Sequence, residues 1–219
     1  MANLISVVVM KDDISDEKGN RVEKSAVFIS RIFNPLYVTV PAVLAVALKV
    51  SSDILHGFLW WLLYITFGTL VPLTDLLIRM RLGKVGDFHV TKKEERTMPL
   101  LYNIGYMTIG VVLMALLGAP RAIVAAAVTS LFLVVISLLV NLRWKISLHA
   151  FGLFEIYTLL VLVFRSWSFV IYNGYMLVML AAVCWARIYL KKHTPAQVMA
   201  GALGGIGLPV VVFWAFGLL

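Results

Sequence analysis

The stretch "RAIVAAAVTSLFLVVISLLVNL", residues 121–142, determines the fold class because it carries no charged side chain after Arg121. A transmembrane helix needs about 20 predominantly apolar residues, and this run provides them. In lipid, an unpaired backbone amide or carbonyl costs several kcal/mol, so a spanning segment is either a helix or a strand of a closed barrel. Barrel strands alternate polar and apolar residues, and this run does not. The stretch therefore predicts a transmembrane helix.

The rest of the sequence contains six further runs of the same kind, and the whole chain is 62% hydrophobic and only 14% charged. Soluble domains are about half apolar, so this composition excludes a soluble protein of this size. We expect an all-α integral membrane protein with a bundle of six to seven transmembrane helices. A cytosolic tail with a short interfacial helix, residues 1–31, precedes a single transmembrane domain, residues 32–219. The other runs cover about 32–50, 55–78, 99–118, 147–164, 169–186 and 195–219.

The basic residues are distributed unequally between the two sides of the membrane. With seven spans, the tail and the connections 79–99, 143–147 and 187–193 share one side, which holds 16 of the 19 lysines and arginines. Basic residues that flank spans stay on the cytoplasmic side. We therefore expect these connections to face the cytosol, in the cell (inner) membrane. Basic residues that set the topology account for the net charge of +8. We therefore do not expect a nucleic-acid partner.

Two connections on this basic side combine histidine with the start of a helix. Thr194 is a capping residue, Pro195 suits the first helical position, and Gln197 is placed to reach back to the capping amide. His193 stands just before this helix. In "KISLHA", residues 145–150, Ser147 is the expected cap and His149 lies in the first turn. Free N–H groups and the dipole at helix starts attract anions, so these segments predict a phosphate site.

Several charged residues also have simpler roles that need no phosphate. Lys191 and Lys192 suit the topology of the chain and contacts with lipid head groups. Arg187, near the end of a span, has the position of a side chain that extends towards the head groups. Asp75 lies four residues before Arg79, which predicts an ion pair within one helix. Glu155 is an intramembrane acid. It either supports the histidines from behind or forms a structural hydrogen bond.

The connections 143–150 and 187–197 resemble the type 2 phosphatidic acid phosphatase family, membrane enzymes that hydrolyse lipid phosphates and diphosphates. The family's third motif, Ser-Arg-x5-His-x3-Asp, is matched by Arg187 and His193, with Ala186 and Gln197 at its ends. Its second motif, Pro-Ser-Gly-His, is matched by Ser147 and His149 with Leu148 between them. Of its first motif, Lys-x6-Arg-Pro, Arg96 is present, while Pro99 lies three residues later and His89 takes the lysine position. The resemblance covers residues 75–210.

This resemblance implies a role for each matching residue. His193 is the nucleophile that forms a phosphohistidine, His149 is the general acid and later the base, and Gln197 occupies the position that orients the nucleophile. The phosphate oxygens are held by Arg96, Ser147 and Arg187, with the nearby cations Lys145 and Lys93. No metal or other cofactor is implied, and the partner is a lipid phosphate or polyprenyl diphosphate in the membrane.

Gln197 in place of the family's aspartate leaves three alternatives open. Gln197 itself orients His193, or another acid such as Asp87 or Glu155 does so, or the protein binds lipid phosphates without catalysis. Two further classes compete with the phosphatase. An intramembrane prenyltransferase requires paired aspartates to hold magnesium and diphosphate, whereas Asp75 and Asp87 are twelve residues apart. A transporter coupled to ions is disfavoured by the scarcity of intramembrane charges.

Overall fold

A computed structural model describes residues 20–86, 90, 93–166 and 174–219, with the backbone alone at 93 and 94. In this part of the chain there is no strand. The helices are α1 (Arg21–Ile32), α2 (Pro35–Val50), α3 (Ile54–Arg81), α4 (Lys93–Leu116), α5 (Arg121–Asn141), α6 (Leu148–Phe164), α7 (Gly174–Tyr189) and α8 (Pro195–Ala215). The predicted all-α membrane bundle is confirmed.

The helices α2 to α8 correspond to the seven apolar runs of the sequence. Five helical stretches are long and apolar enough to cross a membrane, namely Arg21–Val50, Ile54–Arg81, Glu95–Leu116, α5 and α8. α6 and α7 are apolar but have only 17 and 16 residues. At 1.5 Å per residue, α6 is about 26 Å long, a little less than the roughly 30 Å hydrocarbon core. α4 begins six residues before the predicted position 99, because the polar residues preceding Pro99 are already helical.

Local sequence explains where these helices begin. The side chain of Asn34 accepts a hydrogen bond from the N–H of Leu36, and Pro35 takes the first helical position of α2. The side chain of Asp53 caps α3 in the same way through the N–H of His56. Within α3, Thr66–Leu70 forms a π-helical turn, where Phe67 packs directly against the backbone of Gly110 in α4.

The predicted N-terminal tail contains one described helix, α1, and residues 1–19 before it lie outside the described ranges; its place at the membrane interface stays a prediction. α1 is amphipathic and packs on α7. Its small residues Ala26 and Ser30 are buried, while Phe28 is 63% exposed. This pattern suits a helix that rests on the bundle with its other side at the membrane surface.

The close pairing of α6 and α8 brings two helix starts together. A Cβ atom on Gly201 would lie 2.6 Å from the carbonyl oxygen of Ser147, and one on Gly205 would lie 2.4 Å from that of Phe151. Small residues four positions apart allow this close backbone approach in membrane helices. From the first contact to the second, the position increases by four residues in both helices. α6 and α8 therefore run parallel and begin at the same membrane face.

Candidate functional site

The connection between α7 and α8 places His193 against the last turn of α7. The N–H groups of Lys192 and His193 both donate to the carbonyl oxygen of Arg187, at 3.1 and 3.3 Å. Lys191 adopts a left-handed backbone conformation with φ of 52°, which turns the chain sharply after α7. Arg187 and His193, six residues apart in sequence, are therefore neighbours.

Gln197 forms the predicted capping box and also contacts the candidate nucleophile. Its N–H donates to Thr194 Oγ1 at 3.3 Å, and its Oε1 accepts from the N–H of Thr194 at 3.1 Å. The same Oε1 lies 3.3 Å from Nδ1 of His193. An amide oxygen only accepts, so this contact assigns the imidazole proton to Nδ1. Nε2 of His193 then carries the lone pair.

The start of α6 is joined directly to the start of α8. The N–H of Ser147 donates to the carbonyl oxygen of Gln197 at 3.2 Å, and its hydroxyl caps α6 by accepting from the N–H of Ala150. His149, in the first turn of α6, is partly exposed at the same end of the bundle as His193. Ser147 itself has no exposed surface. Its predicted capping role is confirmed, and its contact with a phosphate stays a prediction.

Three cations act on His193: Arg96 at the start of α4, Lys145 between α5 and α6, and Arg187 at the end of α7; we call them the basic cluster. The pKa of His193 is lowered to about 4, first by burial and then by the charges of Arg187, Lys145 and Arg96, against the opposing hydrogen bond of Gln197. The pKa of the Lys145 ammonium is also lowered, by burial and then by Arg96, Arg187 and Lys192. Charges of the same sign oppose one another more strongly the closer they lie, so these pKa shifts indicate that the cations share one region with His193. The basic cluster therefore has the concentration of positive charge that an anion requires.

Protein groups fix both arginines of the basic cluster. Arg96 Nε donates to the carbonyl oxygen of Val90 at 2.6 Å, and Arg187 Nη1 donates to Ser30 Oγ at 3.0 Å. Ser30 was not predicted as part of the site. Its signal in the sequence is the spacing of Ala26 and Ser30, two small residues four positions apart on an amphipathic helix. α1 therefore contributes to the basic cluster by holding one of its arginines.

The acids that the sequence singled out are engaged elsewhere. Asp75 forms the predicted ion pair with Nε of Arg79 at 2.6 Å. Glu155, two turns into α6, accepts a hydrogen bond from Ser130 of α5 at 2.6 Å. Because Nδ1 of His193 faces Gln197, the geometry supports Gln197 as the residue that orients His193. It gives no support for Glu155 in that role. Asp87, His89 and the side chain of Lys93 lie outside the described residues.

No group of three or more histidine, cysteine, aspartate or glutamate side chains that could hold a metal ion occurs among the residues with described positions. Comparisons of the chain with protein-family models, with curated proteins and with solved structures found no significant match. The functional argument therefore rests on the residues and geometry described above.

Proposed function

We propose that this protein is a metal-independent membrane lipid phosphatase that acts on a phosphomonoester or diphosphate head group at the cytosolic membrane face. One observation carries the proposal: Gln197 holds the Nδ1 side of His193, whose imidazole is kept neutral by burial and by the charges of the basic cluster. A nucleophilic histidine must be neutral to attack, and a phosphate dianion is the ligand that a group of arginine and lysine side chains binds best. The motif resemblance of Arg187, His193 and His149 supports the same chemistry.

In the proposed reaction the lipid tail stays in the bilayer and the head group binds among Arg96, Lys145 and Arg187. Nε2 of His193 attacks phosphorus, the bond from phosphorus to the ester or bridging oxygen breaks, and His149 gives a proton to the departing oxygen. His149 then removes a proton from water, whose oxygen attacks the phosphohistidine. Inorganic phosphate leaves and both histidines return to their starting forms.

Gln197 keeps the correct nitrogen of His193 available but adds no negative charge. As Nε2 forms its bond to phosphorus, positive charge develops on the imidazole, and an amide oxygen stabilises it less than a carboxylate does. In a serine protease, replacing the aspartate behind the histidine by the neutral amide lowers turnover about 10⁴-fold. We therefore expect turnover that is slow for such a site.

The test is phosphate release from phosphatidic acid and from a polyprenyl diphosphate by the purified protein in lipid vesicles, in the presence of a chelator. We expect release by the wild type and its loss in His193→Ala. His56→Ala is the matched control, because His56 is an exposed histidine paired with Asp53 at the opposite membrane face. Full activity of His193→Ala would remove this residue from the mechanism, and strict dependence on magnesium would favour the prenyltransferase alternative.

The neutral Gln197 favours one second function, binding of lipid phosphates without hydrolysis. In that case the detergent-purified wild type and His193→Ala both retain phosphatidic acid from mixed micelles after free lipid is washed away, and neither releases phosphate under any metal condition. Replacement of the two arginines Arg96 and Arg187 by glutamine weakens retention under both functions, so phosphate release alone separates them.

A further inference from the structure

A second polar group lies inside the bundle, away from the basic cluster. The hydroxyls of Tyr64 and Ser130 are 2.7 Å apart, and Ser130 Oγ donates to Glu155 Oε1 at 2.6 Å. Since the proton of Ser130 points to Glu155, Tyr64 is the donor to Ser130. The three side chains come from α3, α5 and α6, and Glu155 is only 4% exposed. They form a one-way chain of hydrogen bonds that ends on a carboxyl group.

The surroundings favour the neutral form of this carboxyl group. Within the described ranges, no cationic side chain pairs with Glu155, whereas Asp53 and Asp75 pair with His56 and Arg79. A bare carboxylate in an apolar interior costs far more than one hydroxyl donor returns. A carboxylic acid keeps the same bond from Ser130 on one oxygen and carries its own proton on the other.

A small cavity beside Glu155 is large enough for a molecule that could accept this proton. The cavity has about 30 Å³ of room for the centre of a water molecule. Its polar lining consists of Thr39, Tyr64, Ser130 and Glu155, and its seven other lining residues are apolar. One water molecule needs about 10–15 Å³ and two to four polar partners, which this cavity supplies. The cavity therefore suits a water molecule in contact with the carboxyl group.

We propose that Glu155 is an intramembrane proton-binding site whose proton exchanges with water in this cavity. A hard metal cation fits less well, because calcium collects six to eight oxygen ligands and the cavity presents one carboxyl group and three hydroxyls. Gain or loss of the proton changes the charge between α3, α5 and α6, and therefore the contact of three spanning helices. The site is independent of His193 and of the phosphatase proposal.

Infrared spectroscopy of the protein in lipid vesicles tests this site directly. At neutral pH we expect a carbonyl stretching band of a protonated carboxylic acid that shifts in D₂O and is absent in Glu155→Gln. Asp75→Asn is the matched control: its carboxylate is already paired with Arg79, so this variant keeps the band. A neutral-pH spectrum without a band that depends on Glu155 overturns the proposal. Loss of the band on addition of sodium chloride also overturns it, in favour of a cation site.

Variants of the hydrogen-bond chain give a second measurement that does not depend on Glu155→Gln folding. Ser130→Ala removes the donor to Glu155 Oε1, and we expect the carbonyl band to move to higher frequency. Tyr64→Phe removes only the outer bond, and we expect a smaller movement in the same direction. A band that neither variant moves does not arise from Glu155, and the assignment then fails.

Discussion

The isosteric replacement Gln197→Glu tests the proposed mechanism most sharply, because it adds one negative charge without changing the shape of the side chain. Glutamate is also the common partner in a capping box, so the start of α8 is preserved. The substitution puts a carboxylate oxygen in the place of Oε1, at 3.3 Å from Nδ1 of His193. Its effect is therefore electrostatic, on the protonation and reactivity of one imidazole.

The magnitude follows from this distance. Two unit charges 3.3 Å apart interact by about 5 kcal/mol at an effective dielectric constant of about 20. His193 is partly exposed, and solvent screening together with desolvation of the new carboxylate reduces this to roughly 2–3 kcal/mol. The pKa of His193 then rises from about 4 to roughly 6, since one unit corresponds to about 1.4 kcal/mol. The same stabilisation of the developing positive charge raises kcat roughly 30- to 150-fold.

The assay is the pH dependence of kcat/KM for phosphate release. His193 reacts as the neutral imidazole, so kcat/KM falls as the pH drops through its pKa in the free enzyme. The fall is expected near pH 4 in the wild type and, from the shift worked out above, near pH ~6 in Gln197→Glu. The ionisation of the substrate phosphate is common to both proteins and cancels in the comparison.

Ala196→Glu is the matched control, because it adds the same charge to the same helical turn at an exposed position. We expect the pH profile of this variant to stay close to that of the wild type. If Gln197→Glu and Ala196→Glu give the same profile and the same kcat, then Gln197 does not orient His193, and the proposed nucleophile is wrong.

Three other variants test the packing and the basic cluster. Gly205→Ala places a Cβ atom 2.4 Å from a backbone oxygen of α6 and should lower the free energy of unfolding by about 1–3 kcal/mol. Gly207→Ala is the control, because its Cβ atom meets nothing within 4 Å and should not lower the stability. Thermal unfolding measures both variants. Ser30→Ala removes the hydrogen bond to Arg187, and we expect KM to rise about 5-fold with kcat nearly unchanged. Ser25→Ala is the control: its hydroxyl donates only within α1, to the carbonyl oxygen of Arg21, so KM should stay unchanged. Lys145→Met removes a cation that lowers the pKa of His193, so the acid fall of kcat/KM moves to higher pH. Lys84→Met, an equal loss of charge at an exposed site, should not move it.

The features that the sequence predicted correctly are those encoded by neighbouring residues. The apolar helices follow from runs of apolar residues, and the capping box of Thr194 and Gln197 follows from residues three positions apart. The shared membrane face of the α6 and α8 starts follows from counting spans. Each of these features depends on helix geometry and on the cost of an unpaired backbone group in lipid, and both act locally.

The contacts between distant segments were not predictable in the same way. α5, α6 and α8 are apolar on all sides, so their sequences do not indicate which side faces which neighbour. The contacts of Arg187 with Ser30 and of Glu155 with Ser130 depend on that packing. For Glu155 the sequence predicted only an intramembrane acid, either behind the histidines or in a structural hydrogen bond. The structure identifies its hydrogen-bond donor as Ser130 of α5.

The neutral side chain at 197 has a consequence for binding as well as for turnover. A carboxylate there would offset one charge of the basic cluster, whereas Gln197 leaves Arg96, Lys145 and Arg187 to act together on an incoming anion. Under the proposed function, the resting site therefore binds a phosphate dianion more strongly than the same site with an acid would. Stronger ground-state binding together with weaker transition-state stabilisation lowers both KM and kcat. Under this reasoning Gln197→Glu raises kcat and KM together, and a rise in kcat without a rise in KM would show that Gln197 affects only the chemical step.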